Sequence, residues 1–165
     1  MRARIYVCHT FYHVYVACLK ELNLPKEERG KADMVLSTMS CDFGNLSGRL
    51  AASGLFGKVF IFEEQEESRV PGLAKYHKDR GNIVLNMLAR MVFCKKLGAA
   101  QEAYVPVDFR QYRDIYVFCD SDPIGYYLSW KKIHYHAMED GLDCIRYYDT
   151  ARYDNRGHFK LKALL

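Results

Sequence analysis

Four short stretches of this chain combine residue types that can do chemistry, and each follows an apolar run. His9, Thr10 and His13 follow the first; Ser40, Cys41, Asp42 and Asn45 the second; Asp120 and Asp122 another; and Glu139 and Asp140, with Gly141 behind them, the last. Two adjacent carboxylates before a glycine turn can place one side chain in a cleft, where partial desolvation raises its pKa into a useful general-base range. A solvated acidic turn has the same three residues. Asp120-Ser121-Asp122 has the D-x-D spacing with which hard oxygen ligands hold Mg²⁺ or Mn²⁺ against a nucleotide diphosphate. Pro123, directly behind, favours another role: Asp122 as a helix N-cap with proline at the first helical position. His9 and His13 are four residues apart, but Thr10 is a natural N-cap between them, so only His13 is securely helical. Without a third ligand nearby the pair is a poor zinc site, and polar contact with a substrate is the expected role of His9, Thr10 and His13. His134 and His136 alternate along a strand and are expected to pack on one face of a sheet. Neither a metal nor a cofactor is expected.

Other chemistries are disfavoured by what is missing. Gly44 and Gly48 have neither the Lys-Ser/Thr ending of a Walker loop nor the three-glycine spacing of a dinucleotide fingerprint. A phospho-receiver domain ends its first strand in acidic residues, whereas this one ends in Cys8 and His9. The thirteen tyrosines are dispersed through apolar patterns rather than interleaved with a basic stripe, so nucleic acid is not expected as a partner. A formal charge of +4 is compatible with an anionic sugar, a nucleotide or anionic lipid headgroups, and it is also ordinary for a soluble domain. Of the six cysteines, Cys8, Cys18, Cys94 and Cys119 lie in apolar runs without C-x-x-C spacing, which reads as reduced thiols. There is no signal-peptide pattern at Met1–Cys8 and no run long enough to cross a bilayer, so the expected location is cytoplasmic, with room for peripheral contact at the inner membrane.

The elements that must position these residues are legible as alternation. Ile5–Cys8 reads as a strand, followed by a helix on which Tyr15, Leu19 and Leu22 recur at helical spacing before Pro25. Met34–Leu36 is a second strand, Asp42–Asn45 a loop, Leu46–Ser53 a short helix and Lys58–Phe62 a third strand. Glu63–Gly81 reads as a long polar loop. Asn82–Leu97 reads as a helix with Ile83, Met87, Met91 and Cys94 on its packed face, widened by Val84 and Leu88. Asp114–Cys119 is a strand, Pro123–Trp130 a helix and Ile133–Met138 a final strand. Short, nearly all-apolar strands alternating with helices predict an α/β fold: a Rossmann-like parallel sheet sandwiched by helices. In such a sheet ligands gather beyond the carboxyl ends of the strands, where the four polar stretches fall.

Taken in order, Ile5-Tyr6-Val7-Cys8-His9-Thr10-Phe11-Tyr12-His13, Ile115-Tyr116-Val117-Phe118-Cys119-Asp120-Ser121-Asp122 and Tyr135-His136-Ala137-Met138-Glu139-Asp140-Gly141 resemble glycosyltransferase family 52. That family holds the bacterial lipooligosaccharide sialyltransferases, and the bacterial polysialyltransferases are similar to it. The resemblance runs nearly throughout the chain to Gly141 and rests on the order of the blocks. It implies half of a GT-B enzyme that transfers an acidic sugar from a CMP donor (CMP-sialic acid) to a glycan hydroxyl with inversion, in surface polysaccharide or lipooligosaccharide synthesis, without an obligatory metal. It implies Asp140 as general base, with Glu139 beside it, and a cleft lined by His9, Thr10, His13, Asp42, Asn45, Asp120 and Asp122. The family's donor-binding His-Pro motif does not occur in these 165 residues. The expectation is therefore an acceptor-side domain over residues 1–148 that does not complete catalysis alone. Residues 149–165 would be a tail or linker toward a donor-binding domain. A non-catalytic carbohydrate- or nucleotide-binding module is the alternative, and a homodimer hiding the orphaned docking face is a third possibility.

Overall fold

Alternation along the first strand sets the architecture. In a computed structural model, which describes residues 2–138, Arg2–Cys8 forms strand β1. Ile5 and Val7 point to one face of the sheet, Tyr6 and Cys8 to the other, and all four are fully buried. Both faces are therefore covered. The chain continues through helix α1 (Phe11–Leu22), β2 (Ala32–Ser37), α2 (Leu46–Ala52), β3 (Phe56–Phe62), α3 (Ile83–Gln101), β4 (Tyr112–Val117), α4 (Pro123–Trp130) and β5 (His136–Ala137). The strands lie in the order β3-β2-β1-β4-β5, all parallel, which is the expected Rossmann-like sheet. Val14 and Ala17 of α1 and Leu50 of α2 close one face over Tyr6, Met34 and Leu36. Ile124, Tyr127 and Leu128 of α4 close the other over Ile5, Val7 and Ile115. Helix α3 packs on α4, where a Cβ on Gly98 would stand 2.7 Å from the carbonyl oxygen of Tyr126.

Three findings depart from what the sequence pattern suggests. Tyr15, Leu19 and Leu22 mark a helix, as their spacing predicts, but lie on the exposed side of α1, which buries His13, Val14, Ala17 and Glu21. Helix α3 likewise turns Ile83, Val84, Leu88 and Met91 to the surface and buries Ala89, Phe93, Leu97, Gly98 and Gln101. Both helices have apolar residues around most of their circumference, so periodicity alone does not single out the packed stripe. The third concerns the last strand, of which only His136–Ala137 pairs with β4; His134 precedes it, and both histidines are exposed, with the His136 ring stacked on Tyr116 at 5.0 Å.

Strand β1 extends back to Arg2 because its charges are matched. Arg4, 5% exposed, donates to both oxygens of the fully buried Glu21 at 2.9 and 3.1 Å, and the Tyr6 hydroxyl donates to Glu21 Oε1 at 2.7 Å. Burial first, then the Glu21 hydrogen bond, pushes the Tyr6 phenol far above its ordinary value of 10.0. Unfolded, this phenol ionises above about pH 10, while the folded chain keeps its proton. Its contribution to stability is thus complete below that pH and falls as pH rises into the interval between the unfolded and folded values. Tyr6→Phe is expected to make the loss of unfolding free energy between about pH 9 and 11 smaller by about 1.4 kcal/mol. Urea titrations at several pH values measure it; parallel pH profiles for the two proteins would contradict it.

Candidate functional site

The order β3-β2-β1-β4-β5 reverses direction between β1 and β4, because the chain leaves β1 toward β2 and β3 and then returns to pair β4 on the opposite side. Loops diverge at such a switch point and leave a crevice beyond the strand ends. His9 follows β1 there, and Asp120 and Asp122 follow β4. His9 is fully buried, and its Nε2 lies 2.7 Å from Glu64 Oε1 and 3.5 Å from Asp122 Oδ2.

Glu64 was not singled out in the sequence, yet it ties the site together. It stands two residues beyond β3, is 5% exposed, and accepts from the Ile124 amide at 2.9 Å through its second carboxylate oxygen. The first turn of a helix presents unpaired N–H groups and favours negative charge. Glu64 therefore supplies the capping contact expected of Asp122. Asp122 does occupy the N-cap position with Pro123 behind it, but its side chain makes no capping hydrogen bond and has a carboxylate oxygen near His9. One buried carboxylate thus joins the ends of β3 and β1 to the start of α4. The available signal was position: Glu64 follows a strand end as His9 and Asp120 do.

Thr10 is the N-cap of α1, as expected, and its hydroxyl accepts from the His13 amide at 3.3 Å. His13 is fully buried; its Nδ1 accepts from the His9 amide at 3.1 Å and its ring stacks on Phe118 at 4.6 Å. Cys119, just past β4, stands with both histidines: one possible ligand atom from each of the three lies within 4.8 Å of the other two. This is the third neighbour that the spacing of His9 and His13 does not provide. The β2 loop reaches His9 through Cys41, whose Sγ donates to the His9 carbonyl at 3.4 Å. Asp42 is exposed and accepts from the Gly44 amide, while Asn45 sits at the exposed start of α2 without a side-chain capping bond. Asp120 is exposed and accepts a long 3.4 Å bond from Tyr135, whose phenol is raised by burial and then by the Asp120 charge. Glu139 and Asp140 lie outside the described residues.

Gly125 lets the start of α4 lie directly against the Asp120 turn. A Cβ there would stand 1.9 Å from the carbonyl oxygen of Asp120, closer than any real contact. Alanine would add about 1 kcal/mol of helix propensity, but the clash is with backbone and cannot be relieved by a side-chain rotation. Gly125→Ala is expected to destabilise by about 2 kcal/mol net, read as a lower urea midpoint. Unchanged or raised stability would mean that the Asp120 turn moves freely.

A depression of about 540 Å³ at the opposite end of the sheet is bordered by Arg2, Asp33, Lys58 and Arg113. It is not the better candidate, because Asp33 is already engaged by Arg2, by the Tyr112 hydroxyl at 2.6 Å and by the Lys58 amide at 2.8 Å. Among the described residues no helix is long and apolar enough to cross a membrane. No family model, curated protein or solved structure matches this chain.

Proposed function

We propose that this chain is the acceptor-side half of a sialyltransferase-like GT-B glycosyltransferase, transferring an acidic sugar from a CMP donor to a glycan hydroxyl with Asp140 as the general base. One observation carries the reading. The three sequence blocks that resemble family 52 fall on β1, β4 and β5, which are neighbours in the parallel sheet, so the carboxyl ends of these three strands lie at one edge. Met138 donates to the Val117 carbonyl at 2.8 Å, and Glu139 and Asp140 are the next two residues in the chain. A base of this kind would take the acceptor proton as the donor's glycosidic bond loosens, while a second, donor-binding domain would hold the nucleotide.

The test is made on the protein that contains this chain, supplied with CMP-sialic acid and a lipooligosaccharide-type glycan, with release of CMP as the readout. Acceptor-dependent release supports transfer. Glycan or nucleotide binding without release shifts the assignment to a non-catalytic module of the same fold, and neither binding nor release removes both readings.

A further inference from the structure

We propose that His9, His13 and Cys119 form a binding site for a thiophilic transition-metal cation of the zinc type. All three are buried, and their donor atoms gather within 4.8 Å at the switch point, one from the end of β1, one from the first turn of α1 and one just past β4. Two imidazoles and a sulfur suit borderline and soft cations; hard cations that require oxygen are poorly served.

His9 supplies an independent observation. Its Nε2 faces the Glu64 carboxylate at 2.7 Å, an arrangement that in the neutral ring puts the proton on that nitrogen and the lone pair on Nδ1. Nδ1 is buried and has no hydrogen-bond partner. Metal-ligating histidines commonly donate their other N–H to a carboxylate, which fixes the ring and strengthens it as a ligand. Glu64 occupies that position, and the Ile124 amide holds Glu64 in turn at 2.9 Å.

The protons balance as follows. Cys119 binds as thiolate, so its S–H bond breaks, an S–metal bond forms and the proton leaves to solvent. Since His13 Nδ1 accepts the His9 amide, the neutral ring carries its proton on Nε2. For Nε2 to bind the cation that proton moves to Nδ1 and the 3.1 Å bond from the His9 amide opens, so the buried amide must find another acceptor. One proton is released per cation, and affinity therefore rises with pH. The site is independent of the transfer reading, and its test needs no turnover.

The probes are Co²⁺ and Zn²⁺ alone, added to chelator-treated protein. A single equivalent of Co²⁺ is expected to bind with a sulfur-to-cobalt charge-transfer band that Zn²⁺ abolishes by displacement. Cys119→Ser should lose the band and Cys41→Ser should keep it, while Glu64→Gln should weaken binding by about 10–100-fold. X-ray absorption of the zinc-loaded wild type should show one sulfur and two imidazole nitrogens, a result that stands even if Cys119→Ser does not fold. An all-oxygen shell, or a charge-transfer band that survives in folded Cys119→Ser, overturns the proposal.

Discussion

Replacing Glu21 with leucine is expected to cost about 3–5 kcal/mol of stability, roughly 6–20 °C in Tm for a chain of this size. Glu21 accepts three hydrogen bonds in a fully buried place, two from Arg4 and one from Tyr6. Removing the carboxylate leaves the Arg4 guanidinium in the interior beside an apolar side chain. Arg4 keeps its 2.7 Å bond to the Glu28 carbonyl and a 3.4 Å contact with the Glu28 carboxylate, so part of its charge remains compensated. Those contacts hold the expected loss near the lower end of the range.

The comparison that identifies the cause is a triple variant, Arg4→Met, Glu21→Leu and Tyr6→Phe. A buried ion pair is costly to break but not strongly stabilising compared with apolar residues of similar volume. The triple variant should therefore recover most of what Glu21→Leu loses. Urea midpoints for the wild type, the single and the triple variant decide the matter. If the triple variant is no more stable than the single one, the effect lies in lost packing on α1 rather than in a stranded charge.

This network also shows what was legible in the sequence. Ile5–Cys8, Met34–Leu36 and Asp114–Cys119 declare strands because a strand buried on both faces is apolar at successive positions. Arg2 and Arg4 conceal the start of β1, since the acid that neutralises Arg4 lies 17 residues away on another element. Glu21 similarly makes the buried face of α1 look polar. Tyr15, Leu19 and Leu22 have helical spacing, yet they face outward. Spacing specifies which residues share a face; it does not specify which face meets the sheet.

The site was legible to the same extent. His9, Thr10, His13, Asp120 and Asp122 were recognisable because topology sends strand-end residues to one edge of a parallel sheet. Glu64 was hidden in a polar segment of otherwise ordinary composition. Its meaning comes from two contacts, one 55 and one 60 residues distant in sequence. Cys119 looked like the apolar end of a strand, and only the crossing of β1, α1 and β4 sets it beside two histidines.

On the transfer reading, Asp140→Asn is expected to lower turnover by about 10²–10⁴-fold with little change in KM for the donor. Asparagine keeps the shape and an acceptor oxygen but cannot take the acceptor proton. The residual rate should then rise with pH, as hydroxide replaces the lost base. The acids of the described site are poorer candidates: Asp122 lies 3.5 Å from His9, Glu64 is enclosed between His9 and Ile124, and Asp120 is exposed at the turn. Asp122→Asn and Glu139→Gln should therefore lose less than Asp140→Asn. Steady-state rates for the three variants across pH distinguish the roles. If Asp140→Asn keeps more than about a tenth of the wild-type turnover, it is not the base; a larger loss in Glu139→Gln would transfer that role to its neighbour.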